Sequence, residues 1–207
     1  MTITPSTHRL APRRHALWWL AVAAVVALSG CSAMVAQNPS GALKPVNAVK
    51  EGDERLMLFG HDVVAYFTQG KHALGQPQIA SVYEGVTFRF ASAGHKALFD
   101  ASPEKYIPQY GGFCANGIVY GIPWGGDADS WLISNGKLYI FGGSGSREGF
   151  LLDVPGNTVM ADKYWKDEVA GSNSMIQRSW RLINRVPHYK SGEELARMVA
   201  AAKAGKG

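Results

Sequence analysis

A single strongly apolar stretch, residues 16–28, limits what this 207-residue chain can build. It is shorter than the roughly 20 residues that a helix needs to cross a bilayer. Arg9, Arg13 and Arg14 precede it, and no acidic residue occurs before Glu51. A basic flank followed by a short apolar run is typical of a secretory signal peptide. The sequence therefore predicts that residues 1–30 are a leader and that the folded protein is built from the residues after it.

The apolar stretch ends in Leu28-Ser29-Gly30-Cys31, which matches the bacterial lipobox. In that motif the cysteine thiol takes a diacylglycerol and becomes the first mature residue. We therefore predict acylation of Cys31, a lipid bilayer as partner, and a flexible tether over residues 31–52. Because Ser32 follows the cysteine, the predicted location is the periplasmic face of the outer membrane. The alternative is an ordinary signal peptide with an incidental cysteine.

Charge and cysteine content exclude several classes of protein. The chain carries +5, but three of its arginines belong to the predicted leader, which leaves +2 for the mature form. No nucleic-acid partner is therefore expected. A content of 46% hydrophobic and 18% charged residues is sufficient for a folded core. Two cysteines exclude a disulfide-dense scaffold, and acylation of Cys31 would leave Cys114 as the lone thiol.

The first half of the domain shows strand and turn signals. Residues 63–67 form a short apolar run that predicts a strand. Alternation over residues 82–90, bent at Glu84-Gly85, predicts a hairpin. Ser92 is a candidate N-cap for an embedded helix, and Ser102-Pro103 marks a second helix start.

The second half predicts one more hairpin and then helices. Ser134-Asn135-Gly136 separates two apolar runs, and residues 142–146 are predicted as a flexible loop. Thr158 and Ser174 are candidate N-caps, and Ser191 with Glu194 forms a capping box. The predicted fold class is α+β: a small antiparallel β core with an embedded helix, followed by C-terminal helices. Residues 53–187 are predicted as the main domain, and residues 188–207 as a terminal amphipathic helix.

A series of motifs between residues 60 and 140 carries a family resemblance. The segments are Gly60-His61-Asp62-Val63-Val64-Ala65-Tyr66-Phe67, Tyr83-x-Gly85-x-x-Phe88, Pro108-Gln109-Tyr110-Gly111-Gly112-Phe113-Cys114-Ala115, Trp131 and Gly136-Lys137-Leu138-Tyr139. Their order resembles the YHS domain family in its stand-alone, exported bacterial form. The resemblance implies a treble-clef-like α+β unit and marks Asp62, Tyr110, Gly111, Gly112 and Trp131 as motif residues. Related modules in metal-pumping ATPases carry additional cysteines and are associated with heavy metals. Here the Tyr-His-Ser triplet is absent, and His61 replaces the usual tyrosine.

Cys114 is the residue on which a functional prediction depends. A thiolate assisted by imidazole suits a soft metal ion, copper(I) or zinc, with His61 as the first candidate helper. His95 and Met57 are further candidate ligands. Two alternatives remain open: a structural or partner-binding lipoprotein in which Cys114 is a packed core thiol, and a redox protein that uses this thiol. No catalytic motif is recognisable, so an enzyme is not the expectation.

Other polar residues have simpler interpretations. Asp62 is expected to accept backbone hydrogen bonds at a turn, and His95 to be exposed or part of a helix cap. Ile176, Trp180 and Ile183 share one helical face at i, i+4 and i+7, which predicts the buried side of a packed helix. Three arginines, at positions 178, 181 and 185, predict a solvated basic face or a contact with anionic lipid headgroups.

Overall fold

The computed structural model describes residues 48–51 and 54–205. The predicted leader, the lipidation site Cys31 and most of the predicted tether lie outside this part of the chain. Within the described residues, no helix combines the length and hydropathy needed to cross a membrane.

The larger sheet has four strands and mixed directions. Strands β1 (Ala48–Glu51), β2 (Glu54–Met57), β3 (Gln76–Tyr83) and β4 (Val86–Phe90) lie in the order β1-β2-β4-β3. β1 pairs with β2, and β3 with β4, in the antiparallel sense, whereas β2 and β4 run parallel through Leu56 and Thr87. The predicted antiparallel core thus contains one parallel pair, β2 and β4. A parallel pair needs a long connection, which here includes the helix of residues 65–69 and strand β3.

A separate two-stranded ribbon is formed by β5 (Asp127–Ser134) and β6 (Lys137–Phe141). Both predicted hairpins are confirmed. At the first turn, Glu84 and Gly85 have φ angles of 46° and 73°, and at the second Asn135 and Gly136 have 50° and 71°. Two consecutive left-handed residues match the twist of the flanking strands.

Helices make up most of the rest of the chain. They are α1 (Ala65–Gln69), α2 (Ala93–Ala101), α3 (Pro103–Tyr106), α4 (Ala115–Ile118), α5 (Ser144–Leu151), α6 (Val154–Tyr164), α7 (Ser174–Ile183) and α8 (Gly192–Ala204). Short 3-10 segments cover Leu58–Gly60 and Gln109–Gly112, and a π-turn covers Trp165–Val169. The predicted α+β class is therefore confirmed. Ser92 caps α2 and Ser191 caps α8 through their hydroxyl oxygens, as predicted.

The strand predicted over residues 63–67 is wrong. Val63 and Val64 form a turn, and α1 begins at Ala65. The Asp62 carboxylate accepts hydrogen bonds from the backbone N–H groups of Val64 and Ala65, at 2.9 and 3.3 Å. These bonds start a helix at this point. The periodicity of a short apolar segment does not by itself distinguish a buried helix from a buried strand.

Three helix starts also differ from the predictions. α5 begins at Ser144, inside the loop predicted over residues 142–146. α6 begins at Val154 rather than after Thr158, because the Asp153 side chain accepts a hydrogen bond from the Gly156 N–H at 3.0 Å. Asn173, not Ser174, caps α7. In both capped cases an Asp or Asn side chain reaches the free N–H groups of the first turn.

The core consists of two hydrophobic clusters. The first groups Cys114 with aromatic residues from β6 and from the segments around it, including Phe113, Phe141 and Phe150. The second groups the 3-10 turn after β2 with the sheet, and stacks Phe88 and Phe90 around Phe99 of α2. Ile140 of β6 belongs to the second cluster and is bridged to Cys114, so the two clusters meet at this strand.

The terminal helix α8 packs along α5 at close range. A Cβ atom at Gly149 of α5 would lie 3.2 Å from a methyl carbon of Leu195. Lys203 of α8 also pairs with Glu148 of α5 at 2.6 Å. The missing side chain at Gly149 therefore sets the distance between these two helices.

Candidate functional site

Cys114 lies at the start of the short helix α4 and is held by its backbone. Its N–H donates to the Trp124 carbonyl at 2.9 Å, and its carbonyl accepts from the Ile118 N–H at 3.1 Å. The residue is a free cysteine with 2% of its surface exposed. The structure thus places the thiol in the interior, at the edge of the first cluster.

The motif turn before Cys114 is built by left-handed backbone. Tyr110, Gly111 and Gly112 have φ angles of 55°, 61° and 79°. The Tyr110 hydroxyl donates to the Asp162 carboxylate at 2.8 Å, and burial is the largest cause that raises the Tyr110 pKa, followed by this hydrogen bond. Tyr110 therefore joins the turn to α6, and its role is to hold the segment that carries Cys114.

A different glycine borders the sulfur. A Cβ atom at Gly142 would lie 3.7 Å from the Cys114 Sγ atom. Gly142 itself is exposed to solvent. Only backbone therefore covers the thiol on this side, where any other residue would place a side chain. Gly111 and Gly112 precede Cys114 in the sequence, and a third glycine, Gly142, lies beside its sulfur.

Cys114 lines a cavity of about 180 Å³. Tyr120, Tyr189, Lys190 and Ser146 contribute to the same wall. The pKa of Tyr120 is raised to about 12, first by burial and then by the neighbouring charges of Tyr189, Glu194 and Cys114. Drug-sized ligands occupy pockets of roughly 300–1,000 Å³, so this cavity suits a smaller molecule. It combines a sulfur nucleophile, two phenols and one ammonium group.

Lys190 and Tyr189 were not among the predicted site residues. They follow α7 in the chain and reach the cavity from more than seventy residues away in sequence. Because their proximity to Cys114 is created by the packing of the C-terminal helices, no local sequence signal indicates it.

His61 is placed away from the thiol by its own contacts. Its Nδ1 atom lies 2.9 Å from the Leu58 carbonyl oxygen, its backbone bridges to Leu74, and its ring lies 5.7 Å from that of His72. Met57 and Leu58 belong to the second cluster, whereas Cys114 belongs to the first. Across residues 48–51 and 54–205, no group of three or more His, Cys, Asp or Glu side chains is arranged to hold a metal ion.

Asp62 and His95 are brought together, but as a structural pair. The buried Asp62 carboxylate accepts from the Ala91 N–H at 2.8 Å and from His95 Nδ1 at 2.6 Å, in addition to its bonds at the start of α1. The far nitrogen of His95 lies 3.1 Å from the Thr68 hydroxyl. The prediction for Asp62 is confirmed. Of the two expectations for His95, the helix cap is confirmed, because its N–H donates to the Ser92 hydroxyl at 3.2 Å. Its ring is largely buried and ties α2 to the Asp62 turn.

Trp131 lies in a second, more open cleft. Its ring meets Tyr66 edge-on at 5.3 Å, and its carbonyl accepts from Arg147 Nε at 2.7 Å. Burial is the main cause that raises the Tyr66 pKa, and the charge of Asp129 adds to it. The cleft has a volume of about 560 Å³, and Asp127, Asp129 and Arg147 line it with Trp131. Trp131 thus fastens the β5–β6 ribbon to α1, and its motif position has a structural explanation.

Comparisons with protein-family models, with curated proteins and with solved structures found no match to this chain.

Proposed function

We propose that this protein is a membrane-anchored lipoprotein of the bacterial cell envelope whose YHS-like domain presents Cys114 as a reactive thiol to small disulfide compounds. The observation that carries the proposal is the position of Cys114 in the wall of a cavity of about 180 Å³, with Gly142, which has no side chain, beside the sulfur. An exported protein encounters an oxidising compartment, where a free thiol exchanges readily with disulfides.

The proposed reaction is thiol–disulfide exchange. The Cys114 thiolate attacks one sulfur of a small disulfide R–S–S–R, whose S–S bond breaks as a new bond to Cys114 forms. One R–S⁻ group leaves and takes up the proton that Cys114 released. With Cys31 acylated, no second thiol is available in the chain, so the product is a stable mixed disulfide. The ammonium group of Lys190 lines the same wall.

The experiment uses the full chain with Cys31→Ser, so that Cys114 is the single thiol. Folded protein is incubated with 2-hydroxyethyl disulfide, and adducts are followed by intact-mass spectrometry. We expect one adduct, which disappears in Cys114→Ser. In Lys190→Gln the rate should fall several-fold, because a positive charge in the cavity wall, which stabilises negative charge on the reacting sulfur atoms, is lost. Lys105→Gln, a surface lysine on the unrelated helix α3, is the matched control and should react like the parent.

The second candidate function is a partner-binding lipoprotein in which Cys114 only fills space. Its 2% exposure and its place beside Phe113 and Phe141 favour this alternative. The same experiment separates the two. Modification that occurs only in denaturant, or at a rate that follows global unfolding, would refute the thiol proposal and favour the packed thiol.

Soft-metal binding stays a prediction. The described residues that line the Cys114 cavity include no histidine, so copper(I) or zinc there would need ligands other than an imidazole from that wall. Titration of the protein with Cu(I) and Zn(II), beside Cys114→Ser and His61→Ala, tests it. Equal binding in all three, or none in the parent, would reject a site made by these two residues.

The envelope location is tested at Cys31. Cys31→Ser should abolish labelling by fatty-acid analogues and move the protein out of the membrane fraction. A variant that is still acylated and still sediments with membranes would place the anchor elsewhere. Neither outcome affects the test of Cys114, so the two parts of the proposal fail independently.

A further inference from the structure

Helix α7 is oriented opposite to the prediction. Its apolar residues Ile176, Trp180 and Ile183 are 67%, 57% and 82% exposed. They occupy positions i, i+4 and i+7 and therefore form one continuous stripe on the solvent side. We call these three residues the α7 stripe. Such a stripe normally faces the core, so its exposure on this helix requires an explanation.

The polar side of α7 holds the helix in this orientation. Gln177 is buried and donates to the Gly121 carbonyl at 3.1 Å and to the Glu168 carboxylate at 2.9 Å. Arg178 donates twice to the Pro123 carbonyl, at 3.1 and 2.6 Å. Arg181 forms a bidentate pair with Glu168. Since turning the helix over would break all of these bonds, the stripe is fixed in its outward position.

The chain around the stripe is positively charged. Residues 170–192 contain Arg178, Arg181, Arg185 and Lys190 and no acidic residue. Glu168 balances Arg181, which leaves an excess of positive charge beside the stripe. Arg185 is exposed, with its guanidinium 4.7 Å from the centre of the Tyr189 ring. Trp124, which is 40% exposed, lies under the Arg178 guanidinium at 5.1 Å.

We propose that the α7 stripe docks on an anionic phospholipid surface. An exposed apolar stripe with a tryptophan at its centre, in a positively charged segment, is typical of helices that lie in the plane of the membrane interface. The tryptophan suits the headgroup level, and Arg185, which is exposed, meets lipid phosphates. The inference agrees with the proposed envelope location but does not depend on the chemistry of Cys114.

Charge favours lipid over a second copy of this chain. A two-fold pairing of the α7 stripe would bring the arginine-rich flanks of both molecules together, and like charges in an interface oppose association. An anionic bilayer offers the opposite charge over a broad surface. The attraction to lipid should therefore weaken at high salt, whereas apolar pairing between copies would be strengthened by it.

Photo-cross-linking tests the proposal with the full wild-type chain. Vesicles of phosphatidylcholine, with and without 30 mol% phosphatidylglycerol, carry a trace of a phospholipid with a photoreactive group at the headgroup level. Adducts are mapped by peptide mass spectrometry, so a contact of α7 is separated from any contact of the N-terminal segment. We expect adducts on the α7 peptide that increase several-fold with phosphatidylglycerol and fall in 0.5 M salt.

The triple variant Ile176→Ser, Trp180→Ser, Ile183→Ser should lose these adducts. Val159→Ser is the matched control, because Val159 is equally exposed, at 67%, on the separate helix α6. Far-UV circular dichroism and urea unfolding confirm that the variants fold. Arg185→Glu leaves the α7 stripe intact, so its adduct yield tests the contribution of charge alone. Equal α7 labelling in both vesicle types, or none, would overturn the proposal. A dimer in the absence of vesicles that the triple variant abolishes would overturn it in favour of a second copy.

Discussion

Replacing Asp62 by alanine tests whether this carboxylate organises the start of the domain. It is fully buried and accepts from three backbone N–H groups, those of Val64, Ala65 and Ala91, and from the ring of His95. Alanine removes the acceptor and leaves at least the Val64 and Ala91 N–H groups without a partner. The turn before α1, the end of β4 and the α2 histidine all lose their common anchor.

The expected cost follows from these bonds. An unpaired buried N–H costs about 1–3 kcal/mol, and hydrogen bonds to a charged acceptor contribute about 1.5–3 kcal/mol each. The Ala65 bond is long at 3.3 Å and contributes least. Because the bonds share one side chain and are not additive, we expect Asp62→Ala to lower the free energy of unfolding by about 3–5 kcal/mol. That is a large part of the roughly 5–15 kcal/mol typical of a domain.

Two further substitutions dissect the network. Asp62→Asn keeps one acceptor oxygen for Val64 but turns an NH₂ group toward Ala91, so it should cost about 1–3 kcal/mol. His95→Ala leaves the backbone bonds intact and should cost about 1–2 kcal/mol, again as the loss of one charged hydrogen bond.

Urea unfolding followed by tryptophan fluorescence measures these differences through the midpoint and the m-value. A cost below about 1 kcal/mol for Asp62→Ala would refute the anchor role. A His95→Ala cost equal to that of Asp62→Ala would also refute it, because the histidine would then supply most of the stability. As Asp62 is not part of the Cys114 cavity, the disulfide reaction of folded Asp62→Asn should match that of the parent protein.

The other predictions concern helix packing and alkaline pH. Gly149→Val should lower stability by about 1–3 kcal/mol, because its side chain would meet Leu195 of α8. Gly145→Ala in the same helix has open space around its Cβ and should be neutral or stabilising in the same urea assay; equal losses in both variants would contradict the close approach of α5 and α8. Stability should also fall as pH rises from about 10 to about 12, because the folded state keeps the Tyr120 proton that the unfolded chain releases. Urea titrations at pH 9 and 11 should show a smaller fall for Tyr120→Phe, and an unchanged fall would remove Tyr120 as a contributor.

Local sequence was sufficient where one short segment settles its own conformation. Glu84-Gly85 and Asn135-Gly136 adopt left-handed turns with glycine at the second position, and both hairpins form around them. Ser92 and Ser191 cap helices because their hydroxyl groups reach N–H groups three residues away. The α+β class could be predicted from these signals together.

The predictions were wrong where a contact between residues distant in sequence determined which of two locally possible conformations forms. Residues 63–67 have side chains that fit a strand, but a helix begins there at Ala65. The Asp62 carboxylate before this helix is held by the Ala91 N–H and the His95 ring, which follow β4 in the chain. The orientation of α7 is a similar case. The spacing of its apolar residues identifies an amphipathic helix, while the buried polar contacts of Gln177 determine which face points outward.

The surroundings of the Cys114 thiol show most clearly which features follow from the sequence and which from the tertiary structure. The sequence by itself identified Cys114 as the lone thiol of the predicted mature chain and the glycine turn that precedes it. Only the tertiary structure placed Lys190 in its cavity, left Gly142 beside the sulfur, and kept His61 in contact with the Leu58 turn and His72. Hydrogen bonds within a turn act over a few residues, whereas a cavity is the space left when distant helices pack, and that packing depends on every side chain in the interface.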